Sequence, residues 1–273
     1  MPYVENEGAR LYWTERGSGP PVLLIMGLSF THEMWHRTLP ALSGCRAILF
    51  DNRGMGRSSV PSGPYFIRQM ARDANAVLVA AGANSAHVLG ASMGGMIAQE
   101  LALLYPERVR SLILACTSYA GFFARWPDVR CSQWLLGSKR TREERERALA
   151  NLLYASTTPM ARIHEDIGIR CACMWSRKGF LNQFGGILPW NAYFRLPRIT
   201  APTLVIHGDQ DKLIPPQNGK IVARRIPGAR FELIQNAGHI LTTDQPEFCR
   251  EALSKFLAEQ TEPPPAHTQQ AQR

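Results

Sequence analysis

With 273 residues, 45% of them apolar and 19% charged, the chain has the balance of a globular protein, which excludes a fibrous or largely disordered one. No run approaches the roughly 18 consecutive apolar residues of a membrane-spanning helix, and the opening MPYVENEGAR lacks the basic start and apolar stretch of an export signal, so a cytoplasmic protein is expected. The net charge of +9 invites a nucleic-acid partner, yet residues 121–198 hold 13 Lys and Arg against 6 Asp and Glu, a net +7, so the excess sits in one segment.

Tyr3-Val4 and Leu11-Tyr12-Trp13 flank Gly8 as the arms of an antiparallel edge hairpin would. From Pro21 the pattern changes. Val22–Met26 is a continuous apolar run, Met34–Leu42 has helical spacing, and Ala47–Phe50 is again a short apolar run. Helices are predicted at 66–81 and 94–104, and strands at 86–89 and 109–115. The same alternation returns as strand 203–207, helix 217–226, strand 230–234 and helix 246–258. Short, fully apolar strands alternating with helices define an α/β fold with a mostly parallel sheet covered on both faces. Residues 118–196 break the rhythm and read as a mostly helical cap, so the expected division is a core of 1–117 and 197–260, a cap of 118–196, and a disordered tail of 261–273 rich in Pro, Gln and Thr.

The six cysteines are spread over a large chain, which argues for free thiols rather than a disulfide framework. Cys171-Ala-Cys173 has neither the spacing nor the histidines of a zinc site. The run Arg140–Arg147 interleaves acids with its arginines and carries no aromatic residue, so it reads as a solvated helix laced with ion pairs.

The sharpest local pattern is Gly90-Ala91-Ser92-Met93-Gly94-Gly95, directly after an apolar strand and directly before a helical run. A turn this tight crowds the positions two before and two after its centre, so both must be glycine. Ser92 is then held on a strained elbow at the sheet's carboxyl edge. A serine hydroxyl is a poor nucleophile until a base takes its proton, and the base needs a carboxylate to fix its tautomer. His239, in Asn236-Ala237-Gly238-His239, follows the last predicted strand and so reaches the same edge. Asp209 and Asp211 both follow the preceding strand, and Asp211 is favoured. His207 ends a strand and reads as shaping its turn. Asp244, before Pro246, reads as the N-cap of the last helix. Asp51 to Ser58 reads as a tight loop in which Asp51 and Arg53 satisfy backbone groups.

Taken together, Met26-Gly27-Leu28, Asp51-Asn52-Arg53-Gly54-Met55-Gly56-Arg57-Ser58, the Ser92 turn, His207-Gly-x-x-Asp211 and Gly238-His239 resemble the α/β-hydrolase family. The resemblance covers about 20–117 and 197–258. Capped esterases and lactonases of the 3-oxoadipate enol-lactonase type are most similar, through Leu24–Gly27 and Ser92–Gln99. It implies a Ser92–Asp211–His239 triad, an oxyanion hole from the backbone N–H groups of Leu28 and Met93, and hydrolysis of a small-molecule ester or lactone. The triad needs no metal or organic cofactor, and the apolar run lengths and interleaved charges lead to the expectation of no membrane span and no nucleic-acid partner. Met26 replaces the histidine commoner in that first loop. A serine at the elbow argues against the haloalkane dehalogenases and epoxide hydrolases, which carry aspartate there. Thioesterase, acyltransferase, perhydrolase and carbon-carbon bond hydrolase chemistry stay open, as does a ligand-sensing receptor that keeps the triad. Phe30, His32, Trp35, Phe122, Phe123 and Trp126 are the expected pocket residues.

Overall fold

The computed structural model describes residues 2–122, 124–125 and 142–261, with the side chains of 142–146 and 261 left aside. Site candidates Phe123 and Trp126, most of the Arg140–Arg147 side chains and all but the first residue of the expected tail lie outside that description.

Eight strands form one sheet: β1 (Tyr3–Asn6), β2 (Ala9–Arg16), β3 (Pro21–Ile25), β4 (Arg46–Phe50), β5 (Ala86–Ala91), β6 (Val109–Ala115), β7 (Thr203–Gly208) and β8 (Arg230–Ile234). Their spatial order is β1-β2-β4-β3-β5-β6-β7-β8. The β1–β2 and β2–β4 pairs are antiparallel and the remaining pairs parallel. The hairpin turns on Glu7 and Gly8, both at positive φ (42° and 73°), the twist that a two-residue hairpin loop requires.

The parallel strands are apolar on both faces because helices cover both. Leu23, Ile25, Val88, Leu112 and Leu114 pack into one core with α1 (Ile67–Ala80), α2 (Met93–Leu104) and α6 (Gln217–Arg225). Their neighbours Val22, Leu24, Leu89 and Ile113 point the other way, into a second core closed by α8 (Pro246–Thr261). This two-residue alternation is the strand period applied to a sheet buried on both sides.

Between β6 and β7 lie α3 (Arg142–Leu153), α4 (Met160–Ala172) and α5 (Arg177–Ile187). The two ends of this insertion run side by side: Ala120 bridges Asn191, Gly121 N–H donates to Trp190 O, and Ala192 N–H donates to Tyr119 O. A short α7 (Leu241–Asp244) precedes α8.

Two sequence expectations are corrected. Met34–Leu42 is not an α-helix but two 3-10 turns, His32–Trp35 and Leu39–Leu42. Pro40 supplies no N–H for the helical ladder and its ring clashes with the preceding turn, so the apolar spacing survives without the helix. Arg53 does not mainly serve backbone groups. Its Nε and Nη2 each lie 2.6 Å from an oxygen of Asp73 on α1, forming a fully buried two-pronged pair that ties the 51–58 loop to the helix layer. One guanidinium nitrogen also reaches Asn6 O, at 3.3 Å. Asp51 does hold backbone, accepting from the N–H groups of His32 and Arg57.

Candidate active site

Ser92 sits between β5 and α2 at φ 56°, ψ −122°, a region that a residue with a Cβ enters only when its surroundings force it. A Cβ on Gly90 would fall 2.3 Å from Gly94 O, and one on Gly94 would fall 2.0 Å from Ile25 O, so the turn closes only with glycine at both positions. The backbone around Ser92 is fixed from β6: Ser92 N–H donates to Ala115 O and the Thr117 hydroxyl donates to Ser92 O. Gly27 passes directly over the hydroxyl, because a Cβ there would lie 2.9 Å from Ser92 Cβ and 3.4 Å from its Oγ.

Asp211 and His239 occupy the same edge, after β7 and β8. His239 Nδ1 is 2.8 Å from Asp211 Oδ2, and both side chains are buried. Asp211 Oδ1 accepts from the N–H groups of Leu213 (2.9 Å) and Ile214 (2.8 Å). Burial alone would push this carboxyl up, but His239 and His207 outweigh it and hold the group well below the usual carboxylate range. An ionised carboxylate only accepts, so Nδ1 of His239 carries the proton, and in the neutral ring the lone pair is on Nε2. Asp209 plays a different part, its Oδ1 accepting from Ala237 N–H at 3.1 Å and so joining the two loops.

Three further residues support this arrangement through pairings that only the finished fold makes. His207 does more than shape its turn, since its Nε2 donates to Ile214 O at 2.8 Å and lies 3.2 Å from Asp211 Oδ2, the same oxygen that His239 bonds. Asp244 is not spent as a helix cap. It accepts from Gly238 N–H at 2.6 Å and from Ala155 N–H and the Thr158 hydroxyl, fixing the His239 loop to the helical insertion. Gln183 on α5 accepts from Ser29 N–H at 3.1 Å and donates to Arg53 O at 3.0 Å. The adjacent Asn52 donates to Met26 O, so the 26–29 loop is clamped at both ends, with Ser29 held at φ 64°. Histidine and aspartate at the right spacing hinted at the first two; nothing in the sequence around Gln183 singles it out.

Among the described residues, neither the Leu28 nor the Met93 N–H has an acceptor in the protein. Met93 opens α2, where the first N–H groups have no intrahelical partner and the helix dipole favours negative charge. Met93 directly follows Ser92, and Leu28 directly follows Gly27, where a Cβ would lie 3.4 Å from Ser92 Oγ.

The expected pocket residues separate. Phe30 lines a cavity of about 320 Å³ that runs between α3 and α4. His32 instead bonds Asp51 at 2.8 Å through Nδ1, and Trp35 is buried in the second core. Phe122 is 66% exposed and lines no part of that cavity. Periodicity does not say which of these side chains point inward, so it cannot distinguish a core side chain from a pocket wall.

Cys116, His207 and Asp211 place potential ligand atoms within 4.8 Å of one another. They are poorly suited to a metal. His207 Nε2 is committed to Ile214 O, and burial, with Asp211 alongside, pushes the Cys116 thiol far up.

The family model described as the alpha/beta hydrolase fold matches residues 20–246. The chain belongs to the α/β-hydrolase fold family. It is accordingly a hydrolase. It is 35% identical over 266 residues, 95% of its length and 99% of the relative's, to a chain of Azorhizobium caulinodans named "Putative carbamate hydrolase RutD". A thermophilic esterase from Thermogutta terrifontis superimposes with a TM-score of 0.81 at 26% identity, covering 96% of this chain and 98% of the esterase. The enol-lactonase of Burkholderia xenovorans LB400 superimposes with a TM-score of 0.83, covering 94% and 100% of the two chains; at 24% identity it speaks for the fold alone. Among the described residues no helix is long and apolar enough to cross a membrane.

Proposed function

We propose that the chain cleaves a carboxylic ester or lactone through an acyl-enzyme. Ser92 Oγ attacks the carbonyl carbon while its proton passes to His239 Nε2, and the Leu28 and Met93 N–H groups receive the oxyanion. Collapse of the tetrahedral intermediate breaks the ester C–O bond, and the alkoxide takes the proton from His239. Water then attacks the acyl carbon, giving a proton to His239, and as the acyl C–Oγ bond breaks and the acid departs His239 returns that proton to Ser92 Oγ. The supporting observation is the forced φ of Ser92 beneath Gly27, on the sheet edge that also carries the Asp211–His239 pair.

In this reading 118–196 is a cap on a core of 1–117 and 197–260, the substrate is a small molecule, and neither metal nor organic cofactor takes part. The free thiols at Cys45, Cys116, Cys171, Cys173 and Cys249 suit a reducing, cytoplasmic setting. A carbamate is the second reading, favoured by the relative that bears that name. Its carbonyl would meet the same nucleophile and oxyanion donors.

A panel of p-nitrophenyl esters of two to eight acyl carbons, γ- and δ-lactones and a p-nitrophenyl N-alkylcarbamate decides between them. The expected result is ester or lactone kcat/KM at least tenfold above that of the carbamate. Carbamate turnover with esters and lactones inert would overturn the ester assignment.

A further inference from the structure

The cavity between α3 and α4 contains one charge that no carboxylate among the described residues balances. Its walls are apolar: Phe30, Leu149, Leu153, Ile167 and Trp175. Arg170 of α4 lines the same space, and its guanidinium lies 5.1 Å from the centre of the Phe30 ring. Arg53, Arg37 and Arg195 have acidic partners in Asp73, in Glu165 and Asp166, and in Glu100, and the half-buried Arg162 and Arg225 donate to the carbonyls of Thr243 and Tyr193, whereas Arg170 faces the cavity and the Phe30 ring.

Of the cavity's other titratable groups, Asp166, Tyr154 and Cys173 do not neutralise Arg170. Asp166 spends one oxygen on Arg37 Nε at 3.4 Å and the other on the hydroxyls of Tyr154 and Thr243. Burial raises the Tyr154 phenol and lifts the Cys173 thiol to about 11, so both stay uncharged near neutral pH. Burial also pulls the pKa of the half-buried Arg170 down, against a smaller opposing effect of Tyr154 and Cys171. Such a charge is costly unless an anion completes it, and a guanidinium matches a carboxylate with two parallel N–H donors.

The cavity adjoins the catalytic edge without including it. Phe30 follows the Leu28 loop by two residues, and Leu153 O accepts from the N–H groups of His239 (2.7 Å) and Ile240 (3.0 Å). Neither Ser92 nor His239 lines it. A ligand seated there touches neither of those side chains, so a substrate that engages both sites must extend beyond the cavity.

We propose that this cavity is a subsite for the carboxylate-bearing end of an otherwise apolar acyl chain, with Arg170 as the anion's partner and Phe30, Leu149, Leu153 and Ile167 around its methylenes. The substrate class that follows is the monoester or lactone of a medium-chain acid carrying a second, free carboxylate. This refinement rests on the hydrolase reading of Ser92 for its substrate, although the binding it requires can be measured without turnover.

Calorimetric titration of the whole protein with hexanoate and with its neutral counterpart hexanamide gives the direct test. Hexanoate is expected to bind at least tenfold more tightly than hexanamide; Arg170→Gln should erase that preference and Arg170→Lys should retain part of it. Equal binding of the two ligands by the unaltered protein, or unchanged hexanoate affinity in Arg170→Gln, would overturn the proposal. Should Arg170→Gln fail to fold, Ala150→Phe fills the cavity with the charge intact, and hexanoate affinity that survives it overturns the proposal equally. In turnover, kcat/KM for the p-nitrophenyl monoester of suberic acid relative to its methyl-capped diester should fall about tenfold in Arg170→Gln. Arg170-dependent binding in a protein that hydrolyses neither ester would refute the hydrolase reading and leave the subsite standing. Hydrolysis with Arg170-independent binding would do the reverse.

Discussion

Ser92→Ala is expected to lower kcat for a p-nitrophenyl ester by roughly 10⁴- to 10⁶-fold, the range seen when the nucleophile of a serine triad is removed. The loss should be almost wholly chemical. The Ser92 backbone is held by Ala115 O and Thr117 regardless of the hydroxyl, and alanine keeps the Cβ that makes φ 56° costly, so the thermal midpoint should barely move. Ser92→Gly separates the two contributions. It removes the nucleophile equally but relieves the backbone, and should stabilise the fold by about 1 kcal/mol or more. A Ser92→Ala protein that turns over the ester within tenfold of the parent would show that the reaction uses another group.

Asp211→Asn should be nearly as severe, about 10⁴-fold in kcat, because of how its environment orients the new amide. The two backbone N–H groups of Leu213 and Ile214 claim the oxygen, which turns the amide NH₂ toward His239. A donor facing Nδ1 favours the tautomer with its proton on Nε2, and the lone pair that should receive the Ser92 proton is gone. Asp209→Asn keeps an acceptor for Ala237 N–H and should alter kcat by no more than a few-fold. Steady-state kinetics of both variants on one ester checks the pair, and a larger loss in Asp209→Asn would reassign the orienting acid.

What could be read from the sequence divides along a physical line. Strands such as Leu23–Ile25 and Leu112–Leu114 announce themselves because burial on both faces demands unbroken apolar runs. The Ser92 turn announces itself because steric closure leaves glycine as the sole choice at 90 and 94. The His239 and Asp211 positions follow from strand ends, since parallel strands deliver their loops to one edge. Long-range pairing leaves no such trace. Arg53 finds Asp73, Asp244 reaches back to Gly238 and into the insertion, and Gln183 spans more than a hundred residues to Ser29. Each depends on a side chain whose partner is set by the finished fold. Pro40 shows the opposite failure, a local breaker masked by a persuasive apolar spacing. His32 and Trp35 are aromatic and near the right loop, yet one serves Asp51 and the other the core.

Activation of the hydroxyl at 92 by its neighbours can be read directly with a fluorophosphonate, which forms a stable phosphonyl bond only with an activated nucleophile. Incubation of the intact protein followed by peptide mass mapping should find one adduct per chain, on Ser92, with labelling slowed at least a hundredfold in Asp211→Asn. A protein left unlabelled at Ser92, or labelled there just as fast without the Asp211 carboxylate, would contradict that activation.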